Sequence, residues 1–287
     1  MYKRLLVVII GIVAVLLAAC GGGGGGGGTA PLPPDGNGTL PPPNDYTWTV
    51  MYYVAADNNL ALPSLEETSQ LAELDNYNDE VAVVLQGEYW DDNLDRLRDV
   101  APDMDEAVDL LQSSVPRVRI TNPDNPDDPN NQELSRENFN SASPAALTNF
   151  LVWAKTHFPA DHYMLVLSGH GTSWRTHRSV SGILTDDGFS GGNPLSTMEV
   201  ATAIQAAGLH LDVLDLSSCV MGNIEVAMDF ADVADYLVFS QTYTMAGREY
   251  TARVQSYVNT HPDVTPRSLA TYIVTDYNNF YQTGGFP

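Results

Sequence analysis

Two side chains in this sequence have the right types, in the right local setting, to do nucleophilic chemistry. His170 follows the apolar run Tyr163–Leu167 and is flanked by Gly169 and Gly171. Cys219 follows the apolar run Leu211–Leu216 after two serines. A thiolate is a strong nucleophile, and an imidazole exchanges protons near neutral pH. Gly171 lets its backbone N–H come close to a developing oxyanion. The cysteine arithmetic sharpens this. The chain holds two cysteines; if Cys20 is modified at the N-terminus, Cys219 has no disulfide partner and needs another role.

The elements that must position these residues follow from periodicity. Thr47–Ala56 is β-branched, aromatic and apolar, which predicts a buried strand ended by Asp57-Asn58-Asn59. Ser64 and Glu67 have the spacing of a capping box for a helix reaching Leu74. Val81–Leu85 predicts a second strand. The stretch 91–140 is polar and rich in Pro, Asp and Asn, with one short strand candidate at Val115–Ile120. Ser143 followed by Pro144 opens a helix to His157. Further predicted elements are the strand 163–167, a helix over 196–207, the strand 211–216, a helix over 223–230 and the strand 236–239. Strands alternating with helices imply right-handed βαβ units and a mainly parallel sheet covered on both faces. In such folds ligands sit beyond the carboxyl ends of the strands. His170 and Cys219 then share one sheet edge, one helical crossover apart.

The N-terminal segment reads as a leader. Lys3 and Arg4 precede an apolar run from Leu5 to Ala19, shorter than the roughly 20 residues of a spanning helix. It closes on Leu17-Ala18-Ala19-Cys20, which resembles the lipobox of bacterial lipoproteins, and that resemblance implies a lipid on Cys20. Gly21 is not the aspartate that holds lipoproteins at an inner membrane, so an outer membrane or cell surface is favoured. Gly21–Gly28 and the Pro-rich stretch through Pro43 form a tether. The expected organisation is a signal peptide over 1–19, a tether over 20–45 and one domain over 46–287.

Composition excludes some functions. The net charge is −23, and Lys155 is the only lysine beyond the leader. Nucleic acid and electrostatic attachment to anionic lipid are excluded as partners. No zinc-type His/Cys spacing occurs. Calcium is a weak option: EF-hand spacing is absent, although 122–131 is rich in Asp and Asn. His157, His162, His177, His210 and His261 read as surface residues. No Gly-x-Ser-x-Gly elbow is present.

YMLVLSGHGTSW (163–174) resembles the His-Gly motif of clostripain-like cysteine peptidases, relatives of caspases, gingipains and legumains. LDVLDLSSCVMGNIEVA (211–227) resembles their nucleophile segment, and VMYYVAADNNL (50–60) their first strand and turn. The resemblance implies a caspase-like three-layer sandwich and a thiol endopeptidase acting on proteins or peptides. Cys219 would be the nucleophile and His170 the general acid/base, with the N–H groups of Gly171 and Cys219 as the oxyanion hole. Many relatives cleave after Arg or Lys, using an acidic residue two positions before the cysteine and another in a Gly-Asp-Gly-like turn. Those positions are Ser217 and, by the same offset, Gly247 followed by Arg248. A pocket without carboxylates disfavours cationic side chains, unless Glu249 or Asp215 takes over. Some relatives are activated by cleavage between the two motifs, where Arg175 and Arg178 are the only lysine or arginine residues, and some need calcium. Relatives usually continue beyond this C-terminus, so a shortened form or fragment is expected. The rival reading is a non-catalytic, surface-tethered binding module on the same scaffold. The joint presence of His170, Gly171 and Cys219 argues against it.

Overall fold

The computed structural model describes residues 46–90, 113–120, 139–174, 182–188, 193–244 and 250–283. The leader, the tether with Cys20, the 122–131 loop, Arg175, His177, Arg178, and the pair Gly247 and Arg248 lie outside the described residues.

The β-branched and aromatic run near residue 50 forms β1, Tyr46–Asp57, two residues longer than its apolar pattern. It is buried on both faces along nearly its whole length. That is possible because it is flanked by two parallel partners. One is β2 (Val81–Trp90), with Trp48 opposite Val81; the other is β4 (Ala160–Ser168), with Val54 opposite Ser168. β5 (Leu211–Ser217) and β6 (Ala234–Val238) extend the sheet beyond β4 in parallel. β3 (Ser113–Arg119) closes the other edge antiparallel to β2. The strand order is β3-β2-β1-β4-β5-β6. The expected mainly parallel sheet is present, and its direction of winding reverses at β1 and β4, a crevice-forming switch point.

Alternation along the strands sends side chains to two cores. Met51, Tyr53, Leu165, Leu214 and Leu216 pack under α2 (Pro144–His157), α3 (Thr197–Ala206) and α4 (Ile224–Phe230). Trp48, Val50, Tyr52, Met164 and Val213 pack under α1 (Ala61–Ala72), α5 (Tyr250–Thr260) and α6 (Pro266–Gln282). This is the three-layer, caspase-like sandwich. Each fully buried Leu or Val contributes about 1.5–3 kcal/mol.

Helix starts needed correction. Ser64 and Glu67 do not cap α1. The helix begins three residues earlier, at Ala61, behind a turn in which the Asn58 side chain accepts from the Leu60 N–H (2.9 Å) and the Asn58 carbonyl from the Ala61 N–H (3.0 Å). Ser64 and Glu67 are therefore inside the helix and buried. Burial pushes the Glu67 carboxyl up to about 7, against a hydrogen bond from the Thr251 hydroxyl. The reciprocal capping box belongs instead to Ser196 and Glu199, opening α3. Ser143 does precede α2 with Pro144 at its first position, but its side chain makes no cap bond.

Candidate active site

Register carries both candidate residues to the same height. Ser168 of β4 pairs with Ser217 of β5. His170 and Cys219 each lie two residues beyond that pair, where the chain leaves the sheet.

Three loops are locked together there. The Ser218 hydroxyl donates to the Gly169 carbonyl at 2.8 Å. A Cβ on Gly171 would stand 2.4 Å from the Cys219 carbonyl oxygen and 2.9 Å from the Ser218 Cβ, so only glycine fits. Asn223 donates its side-chain amide to the Ser173 hydroxyl at 2.9 Å, and its carbonyl oxygen caps α4 by accepting from Val226. The Cys219 loop is held on its far side by the segment after β6. Val220 N–H donates to Thr242 and Gly222 N–H to Ser240, at 2.9 and 2.7 Å. The Cys219 Sγ lies 3.7 Å from both the carbonyl and the hydroxyl oxygen of Thr244.

Backbone strain collects at the same place. Among the described residues, the non-glycine positions with positive φ are Ser173, Leu184 and Val220, at 69°, 64° and 53°. For β-branched Val220, directly after Cys219, this conformation costs on the order of 1–3 kcal/mol. The helix expected over 223–230 is present as α4, which begins at Ile224 after its Asn223 cap, several residues beyond Cys219. A helix dipole at the thiol is therefore not part of this site.

His170 is half-buried, and its Nε2 lies 2.8 Å from Oδ1 of Asn59. Burial lowers its pKa from the ordinary 6.5, while the charge of Asp187 acts in the opposite sense. Asn59 and Thr244 were not singled out from the sequence as site residues. For Asn59 the Asp-Asn-Asn turn after the first strand was the available signal. Gly171 faces Ile183 in a bridge whose hydrogen bonds use His170, Thr172, Gly182 and Leu184. Among the described residues the N–H groups of Gly171 and Cys219 have no acceptor.

Ser217 is half-buried at the end of β5, and Asp215 lies two residues earlier on the same face. Asp215 does not open toward the surface. It is 3 % exposed and accepts from the Tyr250 hydroxyl at 3.1 Å. Burial, with a smaller contribution from the charge of Glu67, pushes its carboxyl up to about 7. The described histidines other than His170 lie away from this edge. His162 bonds Asp212 and stacks on Trp48, His210 bonds Asp235, His261 stacks on Tyr257, and His157 packs on Trp153.

A parallel sheet with a histidine loop and a cysteine loop side by side at its switch-point edge defines a class, the caspase-like α/β proteins. The chain belongs to the Clostripain family, Peptidase_C11, whose family model matches residues 52–286. Among solved structures it is similar to a secreted C11 cysteine protease from Bacteroides thetaiotaomicron in complex with an irreversible peptide inhibitor. That likeness has a TM-score of 0.63 at 20% identity, over 83% of this chain and 59% of that one. It is also similar to an inactive zymogen C11 protease from Parabacteroides distasonis, with a TM-score of 0.56 at 21% identity, over 84% of this chain and 60% of that one. The chain thus spans less than two thirds of either protein. No curated protein matches it.

The Gly171–Cys219 contact gives a direct test. Gly171→Ala should force the two loops apart and lower stability by about 1–3 kcal/mol, as overpacking does. Urea denaturation monitored by tryptophan fluorescence measures this, and an unchanged midpoint would contradict the contact.

Proposed function

We propose that the chain is a cysteine endopeptidase in which Cys219 is the nucleophile and His170 the general acid/base. The observation that carries this reading is the equal offset of the two residues beyond the paired Ser168 and Ser217, beside two uncommitted N–H groups. A neutral His170 that donates Nε2–H to Asn59 keeps Nδ1 as a proton acceptor. Its lowered pKa keeps this neutral form populated at neutral pH. On substrate arrival His170 takes the thiol proton as Sγ attacks the scissile carbonyl carbon. The carbonyl oxygen, now negative, accepts from the N–H groups of Gly171 and Cys219. Collapse of the tetrahedral intermediate breaks the C–N bond, and His170 returns the proton to the leaving amine. Water, deprotonated by His170, then hydrolyses the thioester and restores the thiol.

The specificity pocket in this reading lies beside Ser217; its other two candidates by the resemblance, Gly247 and Arg248, lie outside the described residues. Asp215 is the nearest acidic alternative on β5, and its carboxyl is already buried against Tyr250. The pocket wall contributed by β5 is therefore neutral, and cleavage after Arg or Lys is not the dominant activity.

The protein is also read as exported and lipid-anchored through Cys20, on the Leu17–Cys20 tetrapeptide and the Gly/Pro tether behind it. Among the described residues no helix is long and apolar enough to cross a membrane. The solved protease from Bacteroides thetaiotaomicron is described as secreted, which supports the export half of this reading.

Cys219→Ala should abolish peptide hydrolysis while leaving the unfolding midpoint within about 0.5 kcal/mol. His170→Ala should lower kcat by roughly 10²–10⁴. In the wild type the acid limb of kcat/KM should fall with an apparent pKa below 6.5, since protonated His170 cannot accept the thiol proton. Turnover by Cys219→Ala comparable to the wild type would refute the assignment. A positional-scanning peptide library should show no dominant preference for Arg or Lys at the cleaved position; strong selection of Arg would mean that another carboxylate serves the pocket. Cys20→Ser should release the protein from membranes, and retention without a lipid mass on the N-terminus would rule the anchor out.

A further inference from the structure

Helix α5 meets the rest of the domain partly through a polar stripe. Thr251, Gln255 and Asn259, spaced four apart along one side of the helix, are all buried. The Gln255 side chain accepts from the Tyr52 hydroxyl of β1 at 2.9 Å and donates to Asn259 at 2.7 Å. The far end of the helix is held by neutral amides. Asn78 donates to the Asn259 carbonyl, and the Asn76 side chain donates to the Ser256 hydroxyl at 2.8 Å. The near end is held by acids. The Thr251 hydroxyl donates to Glu67 of α1, and the Tyr250 hydroxyl donates to Asp215 of β5 at 3.1 Å.

Both acids are buried, and among the described residues neither has a basic partner. Arg253, the basic residue of α5, is committed to Asp276 of α6. The ionisable groups that face the acids are tyrosines. Tyr52 of β1, Tyr89 of β2 and Tyr250 face them directly, Tyr77 faces Tyr52, and burial raises the pKa of all four. From α6, the Tyr277 ring packs edge-on against Tyr250 at 5.3 Å. Burial with no cation to offset it pushes both carboxyls up to about 7, and the charge of Glu67 adds to the shift of Asp215. Ionising both places two like charges in one layer of the core, where an unpaired charge is costly.

We propose that the Asp215–Tyr250 and Glu67–Thr251 pairs form a proton-dependent latch that docks the first turn of α5 onto β5 and α1, closed while the carboxyls carry protons and loosened when they do not. The direction follows from proton binding. Below the ordinary carboxyl range both groups are protonated whether or not α5 is docked. Between that range and about 7 only the docked state keeps the protons, so docking weakens as pH rises and this stabilisation is lost above about 7. The latch adjoins the candidate site. Asp215 lies four residues before Cys219, and Tyr250 six after Thr244, whose oxygens lie against the Cys219 Sγ. Loosening it should therefore weaken substrate binding. That coupling rests on the peptidase reading; the latch itself does not.

Hydrogen exchange of the full chain carrying Cys219→Ala reads the latch without activity. Corrected for intrinsic rates, exchange of the α5 amides should rise at least tenfold between about pH 5.5 and about pH 8.5, relative to α2 on the opposite face of the sheet. Glu67→Gln combined with Asp215→Asn keeps both acceptors and should hold α5 exchange level across this range. The exposed Glu225→Gln should leave the rise intact. Tyr250→Phe removes a hydroxyl that favours ionised Asp215, so the rise should move to higher pH, a shift that lost packing alone does not produce. Level exchange in the Cys219→Ala chain, or a rise that survives the double variant, would overturn the latch and assign any pH effect to the acidic surface. In the active protein KM for a peptide should rise severalfold over the same range and stay level in the double variant. A level KM beside rising exchange would refute the coupling to the site, and an absence of turnover at every pH would count against the peptidase reading alone.

Discussion

The backbone of Gly171 rests against the carbonyl of Cys219 with no room for a side chain between them, and the site is built around that contact. It brings two loops together that are separated by about fifty residues of sequence, and it does so through main-chain atoms. Ser218 to Gly169 and Asn223 to Ser173 then act as side-chain braces on either side. A contact made by backbone is insensitive to rotamer choice, so the placement of the two reactive groups follows from the sheet register and not from their own side-chain packing. The strain at Val220 is tolerated because β5 on one side and the segment after β6 on the other hold its loop.

The site follows the rule for open parallel sheets in a strong form. β1 and β4 are the neighbours at which the winding reverses, and His170 follows β4 while Asn59 lies in the turn after β1. The imidazole is thus held from one strand end and opposed to the thiol from another. Burial lowers its proton affinity, and the charge of Asp187 opposes this in part. Catalysis on this reading needs no preformed ion pair, only a proton acceptor that is already oriented.

His170 and Cys219 were legible in the sequence because each ends an apolar run with small residues, and punctuation of that kind survives without a structure. The sheet was legible for the same reason. Asn59 was visible only as part of a turn, since nothing local says that its amide meets a histidine more than a hundred positions away. The buried acids Glu88 and Asp186 were hidden by composition: in a chain with 36 acidic residues, those that face inward look like the rest. The helix start at Ala61 was misread as a box at Ser64 because the two lie within one turn of each other, and nothing local shows that Glu67 is buried inside the helix.

The strand order has a consequence for the growing chain. β1 is synthesised first yet sits at the centre of the sheet, and one of its two partners, β4, emerges more than a hundred residues later. β5, the nucleophile loop and the segment that ends at Thr244 come later still. Long-range parallel pairing of this kind is slow, because loop closure must precede the contacts that reward it. The Cys219 and His170 loops therefore meet only after most of the domain has been made, and on the peptidase reading an unfinished chain carries two separated, harmless halves of a reactive centre.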